Sequence, residues 1–284
     1  MCLTPMSKTR DYRKMHERYQ NATFVFGCGQ CPRCLSKRKN SWVFRLKQEQ
    51  KVSSSSAFLT LTYANTPISQ NGFPTLKTKD LQDFHKRLRT HIDRNYEKNK
   101  IRYYACGEYG TRTFRPHYHS IMMNMPQDYL TNPELIASIW GHGHVYVAPS
   151  NGKTIQYVAK YVMKSNEDYN TVCTDTGLIV DIEKEFSLMS KGLGKNYMTP
   201  QVIKWHKETL TTLVGSEHKM SLPRYYRDRI FTKDELETIY QSIQFEQELN
   251  FEKLFNNDYN NYETWIKDQF RKHKVKAENE RLVL

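Results

Sequence analysis

No run of 18 or more apolar residues occurs in the 284-residue chain, which excludes a conventional membrane-spanning helix. The first residues, Met1-Cys2-Leu3-Thr4-Pro5-Met6-Ser7-Lys8, have no apolar run of the kind a secretory leader needs. A cytoplasmic protein without a membrane partner is therefore expected. There is no Gly-x-x-x-x-Gly-Lys-Ser/Thr segment, so the chain carries no P-loop for a helicase motor. Internal repeats are absent, and the one low-complexity patch is Ser53–Ser56, which reads as a linker.

What is present is positive charge. Lys and Arg number 43 against 30 Asp and Glu, a net charge of +13. The excess is uneven: residues 231–284 hold 8 basic and 11 acidic side chains, so residues 1–230 carry 35 basic against 19 acidic. A basic body calls for a polyanion, or simply makes a soluble basic protein. Aromatic residues make up 13% of the chain, 19 of them tyrosines. Such rings fill cores, and on a basic surface they stack with the bases of single strands. A hydrophobic content of 38% supports one sizeable core with a smaller unit attached.

Residues 33–51 read as a helix with seven basic residues and one acidic, its face marked by Leu35, Trp42, Val43 and Leu46. Ala57–Tyr63 reads as a buried strand. A helix follows from Thr78, the expected N-cap, to Arg94, with Leu81, Phe84, Leu88 and Ile92 as its buried stripe. Strands are expected at Ile101–Tyr109, His117–Met125 and His144–Ala148. Helices are expected from Pro133 to Gly141 and from Thr154 to Lys164. Two successive strands without an intervening helix imply an antiparallel pair. The fold class is therefore α+β, a mainly antiparallel central sheet with packed helices. The expected organisation is a Cys-rich, basic, helical N-terminal unit at 1–56, a main domain at 57–230 and a helical C-terminal extension at 231–284.

His117-Tyr118-His119 is the sharpest local feature. Residues i and i+2 of a strand project to the same face, so both imidazoles can meet one ion. Pairing of the two strands through Gly110–Phe114 would bring Glu108 alongside. Two imidazoles and a carboxylate suit a divalent ion with positions left for phosphate oxygens, Mg²⁺ or Mn²⁺. Taken alone, the pair equally suits two histidines that happen to share a strand. His142 and His144 form a second such pair, read as a loop with a polar strand start.

The helix after it carries Tyr157, Lys160, Tyr161 and Lys164 at i, i+3, i+4 and i+7. At 100° per residue, Ile155, Val158, Ala159 and Val162 take one side and the tyrosines and lysines are expected on the opposite one. A phenol can act as a nucleophile on phosphorus, with a lysine one turn away to neutralise or orient it. The bland alternative is an amphipathic helix with rings under a loop.

Arg115-Pro116-His117-Tyr118-His119, with Gly107-Glu108-Tyr109-Gly110 before it and Tyr157-x-x-x-Tyr161 after it, resembles the HUH endonuclease superfamily. Phe58-Leu59-Thr60-Leu61-Thr62-Tyr63 resembles that family's first motif strand, and each tyrosine opens a Tyr-x-x-Lys pattern. The wider chain, residues 1–230, resembles the replication initiators of small single-stranded DNA phages of the gokushovirus type, through Cys28–Cys34, Phe186–Gly194 and Leu222–Tyr226. The resemblance implies metal-dependent nicking of single-stranded DNA at a replication origin through a 5′-phosphotyrosine. A second tyrosine would rejoin strands without ATP, and a host helicase and polymerase would assist in a bacterial cytoplasm. A transposase or plasmid relaxase would share the same site.

Cys2, Cys28, Cys31 and Cys34 cluster near the N-terminus, while Cys106 and Cys173 stand apart. The four could close a structural zinc site, hold an iron–sulfur cluster, or remain reduced thiols; zinc is preferred. A zinc-braced unit would present Arg33, Lys37, Arg38 and Arg45 to DNA, and Arg115 completes the expected DNA contacts. A non-catalytic, cysteine-braced nucleic-acid-binding protein explains the charge and the cysteines but leaves His117, His119 and Tyr157 without a role.

Overall fold

The computed structural model describes residues 2–3, 6–9, 23–96, 100–110, 112–161, 173, 176–214, 220–255 and 258–282. In chain order its elements are β1 (Met6–Thr9), β2 (Thr23–Phe26), α1 (Pro32–Val52), β3 (Ser56–Tyr63), α2 (Thr78–Asn95), β4 (Arg102–Tyr109), β5 (Pro116–Met123), α3 (Gln127–Thr131) and α4 (Pro133–Trp140). They continue with β6 (Gly143–Pro149), α5 (Gly152–Lys160), β7 (Phe186–Met189), α6 (Pro200–Thr209), β8 (Leu213–Val214), β9 (Met220–Ser221), α7 (Arg224–Ile230), α8 (Lys233–Phe255) and α9 (Tyr259–Leu282). The chain forms two compact units, Lys39–Val202, and Met1–Arg38 together with Ile203–Leu284.

The unit Lys39–Val202 is built on a five-stranded sheet in the order β6-β3-β5-β4-β7. Every neighbouring pair is antiparallel, and the fold is α+β as the sequence implies. Strand β3 shows why this sheet has two dry faces. Its residues alternate, and Ala57, Leu59, Leu61 and Tyr63 are all buried on one side. Leu81, Phe84, Leu88 and Ile92 of α2 and Ile136, Ile139 and Trp140 of α4 cluster with them. Burying a side chain of this size is worth roughly 1.5–3 kcal/mol, so this cluster dominates the unit's stability. On the opposite face Tyr104, Cys106, Ile121 and Met123 pack with Leu46 of α1, Ile155 and Val158 of α5, and Leu193. Glu108, His117 and His119 lie in the same period-2 register as Cys106, Ile121 and Met123, so they emerge on this second face.

Three local expectations are corrected. Thr78 is not the N-cap of α2; that position is Lys77, with no side-chain cap. The Thr78 N–H and hydroxyl both donate at 2.8 Å to the carboxylate of Glu183, which serves the orphan helix terminus from a distance. Ser53–Ser56 is not a loose linker. Ser53 donates to the Glu49 carbonyl, the Ser54 N–H to Asn124 and the Ser55 hydroxyl to the Met125 carbonyl, and Ser56 opens β3. Strand β7, paired to β4 from Tyr104 to Gly107, joins the sheet where no strand was expected.

The other unit holds the antiparallel pairs β1–β2 and β8–β9 and the long helices α8 and α9. Val214, Leu222, Tyr226, Ile230, Phe231 and Ile239 are its buried apolar residues, beside Leu3 and Cys31. Residues 232–275 were expected to be largely helical, and α8 and α9 fill most of that span. Among the described residues no helix is long and apolar enough to cross a membrane.

Candidate active site and metal centre

Strand register brings the predicted trio together. Glu108 is the direct partner of His117 across β4 and β5, and Cys106 is the partner of His119. The Nε2 atoms of His117 and His119 lie 2.5 and 2.8 Å from the same oxygen, Oε1 of Glu108. The three side chains thus offer ligand atoms within 4.8 Å of one another, a spacing one ion can bridge.

The outward nitrogens are fixed by the fold. His117 Nδ1 lies 3.0 Å from the carbonyl of Arg115. A carbonyl only accepts, so the Nδ1 proton sits there and Nε2 is left with its lone pair facing Glu108. His119 Nδ1 lies 3.0 Å from the hydroxyl of Thr60, its register partner on β3. The His119 ring also stacks on Phe58, with centroids 5.2 Å apart and planes 18° from parallel. Supporting contacts of this kind orient metal-binding imidazoles.

Charge follows from the same geometry. Burial raises the Glu108 carboxyl, but hydrogen bonds from His117 and His119 outweigh it and hold the group well below the usual carboxylate range. Burial lowers both imidazoles. At His117 the Glu108 contact reverses this and raises it, whereas His119, more deeply buried, stays lowered.

Helix α5 lies against this face. Its start is set by Asn151, whose side chain accepts from the N–H groups of Lys153 and Thr154 in a reciprocal capping box. The Tyr157 hydroxyl donates to Glu108 Oε1 at 3.1 Å and lies 3.5 Å from His119 Nε2. The Tyr161 ring is 5.3 Å from that of Tyr157 and 6.3 Å from that of His119. Burial, and then the Glu108 charge, push both phenols far above their ordinary value.

The expected placement of the tyrosines on the side away from the apolar stripe is overturned. Tyr161 is only 7% exposed and packs in the core cluster with Ile155 and Val158, and Tyr157 packs against the same cluster. The helix buries more than one stripe because the sheet face beneath it is wide. It is also shorter than expected, ending at Lys160, with Tyr161 as its C-cap. Lys160 is half-buried on the last turn; Lys164 lies outside the described residues.

The expected DNA contacts fall in both units. Arg33, Lys37 and Arg38 are exposed on α1, and Arg33 stands 4.6 Å over the ring of Trp265. Arg45 instead donates to the Leu193 carbonyl and stacks on Trp42. Arg115 is exposed and donates to the Tyr63 and Ala64 carbonyls. Of the secondary histidine pair, His142 packs on Trp140 and Tyr63 and His144 is exposed on the edge strand β6. Thr60 and Phe58 are site residues that the sequence reading did not single out. Their signal was available: they share the face of β3 that faces β5.

Residues 56–166 match the family model for replication-associated proteins of the ORF2 type. The chain is 27% identical over 225 residues to the replication-associated protein VP4 of Bdellovibrio phage phiMH2K, covering 73% of this chain and 68% of that protein. It is 26% identical to the replication-associated protein ORF4 of Chlamydia phage 1, over 72% of this chain and 53% of that one. It is likewise 26% identical to the replication-associated protein ORF2 of Spiroplasma virus 4, over 72% and 67%. The chain thus spans about half to two thirds of the length of these relatives. No solved structure matches it. On both comparisons the chain is similar to replication-associated proteins of phages, and the segment that the family model matches is the one that runs from β3 through α5 and builds this site.

Proposed function

We propose that this protein starts rolling-circle DNA replication by nicking one strand at an origin and remaining joined to it through a tyrosine. The observation that carries this is the meeting of a phenol with a carboxylate–imidazole set: the Tyr157 hydroxyl 3.1 Å from the Glu108 oxygen on which His117 and His119 converge. Similarity to phage replication-associated proteins supports the setting.

Glu108, His117 and His119 would hold a divalent ion, Mg²⁺ or Mn²⁺, which polarises a phosphate oxygen when bound. The Tyr157 oxygen attacks phosphorus, the bond to the 3′ oxygen breaks, and that oxygen leaves as a 3′ hydroxyl after taking up a proton. The 5′ phosphate stays on the phenol. Tyr157 takes the first cut because it is only half-buried, while Tyr161 is nearly closed off. Tyr161 then attacks in the joining step, with Lys160 and Lys164 neutralising phosphate charge. The freed 3′ end primes a host polymerase. With no P-loop in the sequence, a host helicase unwinds the duplex. Arg33, Lys37, Arg38, Arg45 and Arg115 form the phosphate-contacting set, and the reaction takes place in the cytoplasm of the bacterial host.

The test is incubation with origin-bearing single-stranded DNA and Mn²⁺, read on a denaturing gel. A DNA-linked protein band that needs the ion and disappears in the Tyr157→Phe/Tyr161→Phe double variant supports the reading. Binding without cleavage under every divalent ion sinks it and leaves a binding protein. Cleavage only on a transposon-end or transfer-origin hairpin points instead to a transposase or relaxase.

A further inference from the structure

The cysteines lie outside the nicking chemistry, yet the fold gathers four of them. Cys2, Cys28, Cys31 and Cys34 bring their Sγ atoms within 4.8 Å of one another. Cys2 Sγ lies 3.6 Å from both Cys28 Sγ and Cys31 Sγ, across 26 and 29 residues of chain. None of the six cysteines is in a disulfide. We infer that Cys2, Cys28, Cys31 and Cys34 hold one tetrahedral zinc ion as a structural brace.

Distance is the first argument. Four thiolates at a Zn–S length near 2.3 Å have tetrahedral edges of about 3.8 Å. The observed 3.6 Å separations fit that edge. They are far too long for a disulfide, with its S–S bond of about 2.05 Å. The set is also too tight for an iron–sulfur cluster, whose thiolates sit outside a multi-atom core and stand farther apart.

The second argument is the backbone. The N–H of Cys28 donates to Cys2 Sγ at 3.3 Å, and those of Gln30 and Cys31 donate to Cys28 Sγ at 3.4 and 3.2 Å. Such donors stabilise thiolate rather than thiol. Cys31 precedes α1 and accepts its first helical bond, from Leu35, while Cys34 sits in the first turn. Both therefore lie at the positive end of the 21-residue helix.

Glycine supplies the third. A Cβ on Gly27 would come within 2.9 Å of Cys34 Sγ, so the chain can approach that sulfur only without a side chain. Gly29, at φ +76°, makes the turn between Cys28 and Cys31. Binding displaces the thiol protons, one for each sulfur still protonated, with no change in oxidation state. The result ties Cys2 to the start of α1.

The experiment is metal analysis of the purified full chain. One zinc per chain is expected, retained through washing with a chelator that strips Mg²⁺ and Mn²⁺. Replacement by Co²⁺ should give thiolate-to-cobalt charge-transfer bands and the visible bands of a tetrahedral site. Cys34→Ser should reduce bound zinc to less than about a tenth of an equivalent, since a missing thiolate costs most of the binding energy. Cys173→Ser and His119→Ala should keep it, which separates this site from the Glu108 centre. Should Cys34→Ser fail to fold, the wild-type chain still decides: a thiol-specific mercurial should release one zinc as four thiols react. Overturning results are zinc-free protein without cobalt bands, bands unchanged in Cys34→Ser, or the brown absorption of an iron–sulfur cluster.

Discussion

The hydroxyl of Thr60 lies 3.0 Å from Nδ1 of His119, its register partner on the neighbouring strand. A β3 side chain thus fixes the direction in which a β5 imidazole presents its other nitrogen. Thr60→Val keeps the branched shape and removes the hydrogen bond. We expect the ion requirement of cleavage to rise by about 10- to 100-fold, the range typical of lost outer-shell contacts, with little change in melting temperature. Mn²⁺ titration of cleavage and calorimetry check this. An unchanged requirement would assign the ring's orientation to its stack on Phe58 alone.

Binding and cutting should separate at His119. His119→Ala removes one ligand atom of the carboxylate–imidazole set but no positive charge that meets phosphate. Affinity for DNA, resting on Lys and Arg, should keep the wild-type slope of log K against log salt, while the covalent band is lost. Fluorescence anisotropy across a salt series measures the first and a denaturing gel the second. A parallel loss of both would contradict the division of labour.

His85 gives a stability prediction. It is 2% exposed, stacks face to face on Tyr103 at 3.6 Å, and neither ring nitrogen has a hydrogen-bond partner among the described residues. Burial, aided by the charge of Arg89, lowers its pKa to about 3. The unfolded chain takes up a proton near pH 6.5 and the folded one does not until near 3. Its stabilising effect is therefore complete above about pH 6.5 and is lost progressively below. By about pH 5 the loss is about 2 kcal/mol. His85→Phe keeps the stack and removes the titration, so its unfolding free energy should fall less between about pH 7 and 5. Identical pH profiles would refute the assignment.

Gly143 and Gly141 make a contrasting pair. Gly143 has φ +147°, and a Cβ there would collide with Ala64 N and lie 2.5 Å from Thr62 O, backbone atoms that cannot move aside singly. Gly141 has φ +69°, and its added Cβ meets only Ser138 O, at 3.9 Å. Gly141→Ala should cost about 1–2 kcal/mol, the left-handed penalty alone. Gly143→Ala should cost more, because it also forces β6 off β3. Denaturant midpoints of the two variants decide it; equal losses would mean the strand yields freely.

Much of this was legible beforehand. Leu81, Phe84, Leu88 and Ile92 declared the buried face of α2 through helical spacing, and His117 and His119 declared a shared face through strand spacing. What eluded the sequence depended on distant partners. Thr78 looks like a helix cap, but Glu183 supplies the cap from 105 residues away. The side of α5 that carries Tyr157 and Tyr161 looks polar on a helical wheel. Phenols are amphipathic, however, and the sheet surface beneath was wide enough to bury them. Strand β7 has only four residues, too few for alternation to stand out.

The antiparallel pairing of β4 with β5 also sets an order of assembly. Glu108 and His117 are 9 residues apart and meet as soon as one short hairpin closes, at little entropic cost. Tyr157 arrives 38 residues after His119, once β6 and α5 have been laid down. In a chain leaving the ribosome, the chelating half of the site takes shape first, and the phenols complete it last.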